Sequence, residues 1–176
     1  VTLSDANGEG IAATDITTIE GATNGTITVS NNINLTGTSA QIAAAVDDVN
    51  TFSGTPTATL GDAHTLAELK AINNKLSGTL TLNDYSVALS GTTADVKAAL
   101  AGSFASTYTG NVTISDANTT NITATDITAI EAATDGTITV TNNIDINGTA
   151  AEVAAAVDDV NTFSGTPTAT LSNAHT

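Results

Sequence analysis

Threonine alternates with aliphatic residues in short runs along the whole chain, and each run is followed closely by Asp or Asn. Seven such runs occur: Thr2-Leu3, Thr26-Ile27-Thr28-Val29, Thr57-Ala58-Thr59-Leu60, Thr79-Leu80-Thr81-Leu82, Val112-Thr113-Ile114, Thr137-Ile138-Thr139-Val140 and Thr168-Ala169-Thr170-Leu171. Period-two alternation rich in β-branched residues and bounded by Gly, Asn and Asp predicts half-buried strands. Marked by their last apolar residue (3, 29, 60, 82, 114, 140, 171), the runs are separated by 26, 31, 22, 32, 26 and 31 residues. Second, shorter extended pieces are predicted at Ile33-Asn34-Leu35, Val87-Ala88-Leu89 and Ile144-Asp145-Ile146.

Between the strands the apolar spacing becomes helical: Ile42, Val46, Val49; Leu66, Leu69, Ile72, Leu76; Val96, Leu100, Phe104. Most of these stretches open on Thr followed three residues later by an acid or amide, at Thr38/Gln41, Thr65/Glu68, Thr92/Asp95, Thr123/Asp126 and Thr149/Glu152. That is a capping box, in which each partner satisfies a backbone N–H that the first helical turn leaves free. The first helix has Ala12 in place of Thr and should be less well capped.

The chain also aligns on itself. Residues 1–65 match 112–176 without a gap, identical at 48 of 65 positions, and Ala43–Leu60 repeats unchanged as Ala154–Leu171. The 111-residue offset equals the first four strand intervals, so the expected organisation is a module of four unequal coils over 1–111 and a partial, continuous second copy over 112–176. Because the chain begins at Val1 and stops at the counterpart of Thr65, it is expected to be a piece of something longer. Strands separated by helices must run parallel, with right-handed crossovers. The predicted class is therefore α/β: a repeat solenoid of strand, short strand and helix, with a parallel sheet on one face and helices on the other. The alternative is a compact α/β domain with coincidental duplication.

The phrases Ala13-Thr14-Asp15-Ile16…Ile19-Glu20…Ala22-Thr23 and Leu35-Thr36-Gly37-Thr38-Ser39-Ala40 resemble the Thr/Ala-rich tandem repeats of very large secreted or cell-surface proteins of marine bacteria, cyanobacteria above all. The resemblance implies an extracellular structural or adhesive role; its motifs are compositional and carry no catalytic signature. The coil logic is similar to leucine-rich repeats, but their Leu-x-x-Leu-x-Leu-x-x-Asn spacing is absent.

Composition narrows the function further. The 176 residues include 36 Thr and 30 Ala, and 18 Asp and Glu against 3 Lys give a net charge of −15. So few cations argue against nucleic acid, which is held by neutralising phosphates. The lack of Cys removes disulfides and thiolate chemistry, and no apolar run approaches the roughly 18 residues of a membrane span. Like-charged rods of this kind repel one another and stay soluble.

Two arrays could bear function. Stacked strands would line Thr28, Thr59, Thr81, Thr113, Thr139 and Thr170 into one outward column, resembling the ice-binding face of Thr-x-Thr antifreeze solenoids; lateral packing, contact with surface polysaccharide and a plain solvated sheet are the other readings. Asp5, Asn31, Asp62, Asp84, Asp116, Asn142 and Asn173 would form a second column. Its run Asp62, Asp84, Asp116 is a calcium candidate through hard oxygen ligands, and an Asx turn closing each coil is the competing reading. Asp47-Asp48 and Asp158-Asp159 read as a solvated face. His64 and its copy His175 precede helix caps and read as surface or cap residues, so no enzyme is expected. The expected role is a stalk, surface layer, adhesin shaft or filament that self-associates through coil ends or the sheet face.

Overall fold

The computed structural model describes residues 1–172; Asn173, His175 and the remaining C-terminal residues lie outside that range. Within it the chain is α/β, with parallel sheets and six helices. Its contacts divide it into two units, Val1–Tyr85 with Ala101–Ser106, and Ser86–Leu100 with Thr107–Thr176.

In the first unit strands and helices follow one another along the chain. These are β1 (Thr2–Leu3), β2 (Gly10–Ala12) and α1 (Ala13–Gly21); β3 (Thr28–Val29), β4 (Asn34–Gly37) and α2 (Ser39–Asp48); β5 (Thr51–Phe52), β6 (Thr57–Leu60) and α3 (Leu66–Lys75); then β7 (Leu80–Thr81). The strands sort into two parallel sheets, β1-β3-β5 and β2-β4-β6-β7. α1 packs on α2, and α2 on α3.

The second unit opens with β8 (Leu89–Gly91) and α4 (Thr93–Leu100), followed by β9 (Val112–Ile114), β10 (Asn121–Thr123), α5 (Ala124–Glu131), β11 (Ile138–Val140), β12 (Asp145–Gly148), α6 (Ala150–Asp159), β13 (Thr162–Phe163) and β14 (Thr168–Leu171). Its sheets are β8-β9-β11-β13 and β10-β12-β14, again parallel.

All seven alternating runs form strands, but they do not pair as one file. Val29 pairs with Phe52, not Leu60, and Leu60 pairs with Gly37 in the other sheet. The 31-residue interval therefore steps between sheets. Counted along true partners, Leu3↔Val29↔Phe52 and Leu35↔Ala58↔Leu80, the spacing is 26, 23, 23 and 22 residues. Phe104 is another departure from expectation: α4 ends at Leu100, and Phe104 instead bridges to Leu80 in parallel.

The core lies between the sheets and the helices. Val29, Leu35, Ala58 and Leu80 from strands, and Ile27 and Ile33 just before β3 and β4, join Ile16, Ile42, Val46, Leu69 and Ile72 from helices, all buried. Ile114, Ile127, Ile138 and Ile146 do the same in the second unit. Each aliphatic side chain contributes roughly 1.5–3 kcal/mol. Buried Ala13, Ala45, Ala99 and Ala156 let the helices approach closely in a chain with few aromatics.

Capping follows the predicted pattern at three helices. Thr38/Gln41, Thr65/Glu68 and Thr149/Glu152 form reciprocal capping boxes. Ala12 leaves α1 uncapped by any side chain. Thr123 also makes no cap hydrogen bond, and Asp126 pairs with Lys97 at 2.5 Å. One turn differs between the copies: Gly8 has φ 79°, and its counterpart Thr119 has φ 66°. A β-branched residue in that region carries roughly 1–2 kcal/mol of strain that glycine does not.

Candidate functional site

The polar residues that punctuate the strands join each pass to the next. Asn50 receives the Ile27 N–H on its Oδ1 at 2.7 Å while its own N–H donates to the Ile27 carbonyl at 3.0 Å. Asn161 makes the same pair of bonds with Ile138. In the turns, Asn7 Oδ1 accepts from Asn32 N, and Asn32 Oδ1 from Thr55 N, at 2.9 and 2.7 Å. Asn118, Asn143 and Thr166 repeat this chain of bonds in the second unit. In each of these side-chain bonds the Oδ1 accepts a backbone N–H without bringing a charge. Sequence reading missed these Asn residues as a set, although their recurrence just before or just after strands was the available signal.

The threonines fall in shorter files than expected. Thr28 lies between Thr2 and Thr51 in one sheet, whereas Thr59 lies between Thr36 and Thr81 in the other. Thr113 pairs with Ser90 and Thr139, Thr139 also with Thr162, and Thr170 with Asn147. Several hydroxyls are engaged along the stack. Thr57 and Thr59 donate to Asn34 Oδ1, and Thr168 and Thr170 grip the two oxygens of Asp145 at 3.0 and 2.9 Å.

The three acidic candidates differ in their partners. Asp62 Oδ1 accepts from the Ser39 N–H at 2.7 Å, at the start of α2 one pass earlier. Asp116 Oδ2 accepts from both the N–H and the hydroxyl of Thr93, at 2.8 and 2.6 Å, at the start of α4. Each thus caps a helix belonging to the preceding pass, where the helix dipole favours a negative charge. Asp84 acts on His64 electrostatically. Among the described residues, no group of three or more His, Asp or Glu side chains is arranged to hold a metal ion.

His64 is buried, with 3% of its surface exposed, and so is not a surface residue. It packs in the turn between β6 and α3. Burial pulls its imidazole below the ordinary histidine value, against the upward pull of Asp84, Glu68 and Asp62. For Glu68, burial pushes the carboxyl up, but bonds from Thr65 N, Thr65 Oγ1 and Ser39 Oγ outweigh it and bring the net value down. Lys97 holds Asp126 low, and Thr149 N–H does the same for Glu152.

No protein family, no curated protein and no solved structure matches the chain. Function must therefore be argued from its own geometry.

A further acidic feature lies in the second unit. Glu131, Asp135, Asp158 and Asp159 line a cleft of about 730 Å³, close to the C-terminal ends of α5 and α6. Carboxylates there oppose the helix dipoles. Asp158 and Asp159 are thus part of a cleft wall, beyond the solvated face that their sequence suggested.

The pKa directions give a testable pH dependence. The unfolded chain binds a proton on His64 from about pH 6.5 downward, where the folded chain resists it. Stability from this group is complete above that value and falls as pH drops below it. Glu68 and Asp126 add a second loss, beginning below about pH 4.5. His64→Gln should therefore flatten the melting temperature against pH between roughly 6.5 and 5 while leaving the lower limb unchanged. Parallel curves for the two proteins would refute this account of His64.

Proposed function

We propose that the chain is a non-catalytic structural segment of an extracellular or cell-surface protein, a stalk, surface layer, adhesin shaft or filament, in which each unit is a solenoid of stacked passes. The observation that carries this is the in-register pairing of Thr2, Thr28 and Thr51, of Thr36, Thr59 and Thr81, and of Thr113, Thr139 and Thr162, with Asn side chains bonding one pass to the next. A stack of this kind distributes load over many small, equivalent links, and each unit depends on its neighbours rather than on one central core. Strong acidity and the resemblance to Thr/Ala-rich surface repeats support an extracellular setting.

Concatenated copies of residues 1–111 would test the reading. Passes spaced about 4.8 Å apart, at 22–26 residues each and so about five to a 111-residue module, predict that the maximum dimension from X-ray scattering grows by roughly 24 Å per added module. Growth with the cube root of mass, as in a globule, would sink it. Calcium stiffening through Asp62 or Asp116 is disfavoured by the N–H donors those carboxylates already hold.

A further inference from the structure

We propose that the face formed by α6 and β14 is a docking surface for a helix-then-parallel-strand segment with the chemistry of residues 66–81. The inference rests on the stacked-pass reading and adds which face would take a further element and what chemistry that element needs.

Residues 43–60 and 154–171 are identical in sequence, so differences in exposure between them come from their surroundings alone. Val46 is 0% exposed and its counterpart Val157 is 46% exposed; Leu60 is 2% exposed and Leu171 38%. Ala58 is buried, and Ala169 is exposed. In the first unit the covering element is known. α3 lies against α2, with Val46, Asp47, Ala67, Lys70 and Ala71 lining one cleft between them. β7 pairs with β6 through Ala58↔Leu80 and Thr59↔Thr81. In the second unit β14 is the outer strand of its sheet among the described residues.

Charge agrees with shape. α3 carries Lys70 and Lys75, two of only three cations in the chain, and Lys70 lies across from Asp47. Asp158 repeats Asp47 on α6. The fitting occupant therefore presents an apolar helix face flanked by lysine, followed by a short strand.

A second copy of the chain does not supply this. Its own segment is consumed, with Leu69, Ile72 and Leu80 all fully buried. Its first strands, β1 and β2, are followed by a helix that belongs one step further along, which would leave the place beside Val157 open.

The test is to append residues 66–85 of this sequence directly after Thr176, the counterpart of Thr65. The melting transition of the second unit should rise by roughly 5 °C or more. Val157→Asp should be nearly silent in the original chain and should cancel the gain in the extended one. An equal rise from a scrambled tail, no rise at all, or equal damage by Val157→Asp in both chains would overturn the proposal. Concentration-dependent dimerisation abolished by Val157→Asp would also overturn it, by assigning the face to a second copy. Scattering from concatenated modules reports on the stacked passes independently, so the two readings can fail separately.

Discussion

Gly136→Ala is expected to lower the melting temperature of the second unit by about 10 °C, while Gly25→Ala, at the same position in the first copy, changes it by no more than about 2 °C. Gly136 begins the turn into β11, pressed against the preceding pass. A Cβ there would overlap the carbonyl oxygen of Gly110, and one on Gly110 would overlap that of Val87. These are backbone atoms, so no rotamer change relieves the clash. The turn is also pinned from outside: Asp135 N donates to Tyr108 O at 2.8 Å, and Thr134 Oγ1 to Gly110 O at 2.9 Å. Gly25 has only Thr23 Oγ1 nearby, at 3.5 Å. Neither glycine has a positive φ, so the comparison isolates steric contact from backbone preference. Overpacking at an immovable neighbour costs about 3 kcal/mol, which thermal or denaturant melting resolves easily. Equal effects at the two glycines would show that contact between passes is not what the second turn feels.

Asp116→Ala should cost the second unit about 3 kcal/mol, with Asp116→Asn recovering roughly half. The carboxylate is 8% exposed and receives two donors from Thr93, itself 3% exposed. Truncation leaves a buried N–H and a buried hydroxyl without an acceptor. That penalty exceeds the loss of an ordinary surface cap. Its counterpart Asp5 is exposed, and Asp5→Ala is expected to stay within about 0.5 kcal/mol. Hydrogen exchange at the Thr93 amide offers a local readout. Unchanged protection there in Asp116→Ala would refute the capping role even if stability fell.

Local features were legible from sequence because short-range physics decides them. Thr-x-Thr alternation located seven strands, and the boxes at Thr38, Thr65 and Thr149 located helix starts. The aliphatic spacing picked out Ile42, Val46, Leu69 and Ile72 as core. Pairing was harder. Thr51–Phe52 and Gly10–Ala12 are two and three residues long, too short to show a period, yet they are the true neighbours of Thr28–Val29 and Asn34–Gly37. Without them the two sheets read as one, and Thr28 and Thr59 fall into the same column. Thr123 has the right spacing for a cap yet accepts no backbone N–H of the first turn, and the partner of Asp126, Lys97, lies 29 residues away where no local pattern shows it. Asp62 and Asp116 read as a stacked column because nothing in a linear pattern shows which helix start lies beside a turn. The burial of His64 was hidden for the same reason.

The scarcity of cations has a further effect. Lys70 and Lys75 lie in α3, Lys97 lies in α4 tied to Asp126, and the chain contains no arginine. A trypsin-like protease therefore finds its cleavage points within α3 and α4, after Lys70 and Lys97, and at the end of α3 after Lys75, where helical turns must unravel before they fit an active-site groove. Beyond Lys97 it finds none through Thr176, so the repeated segment is chemically inert to that class of enzyme even when fully unfolded.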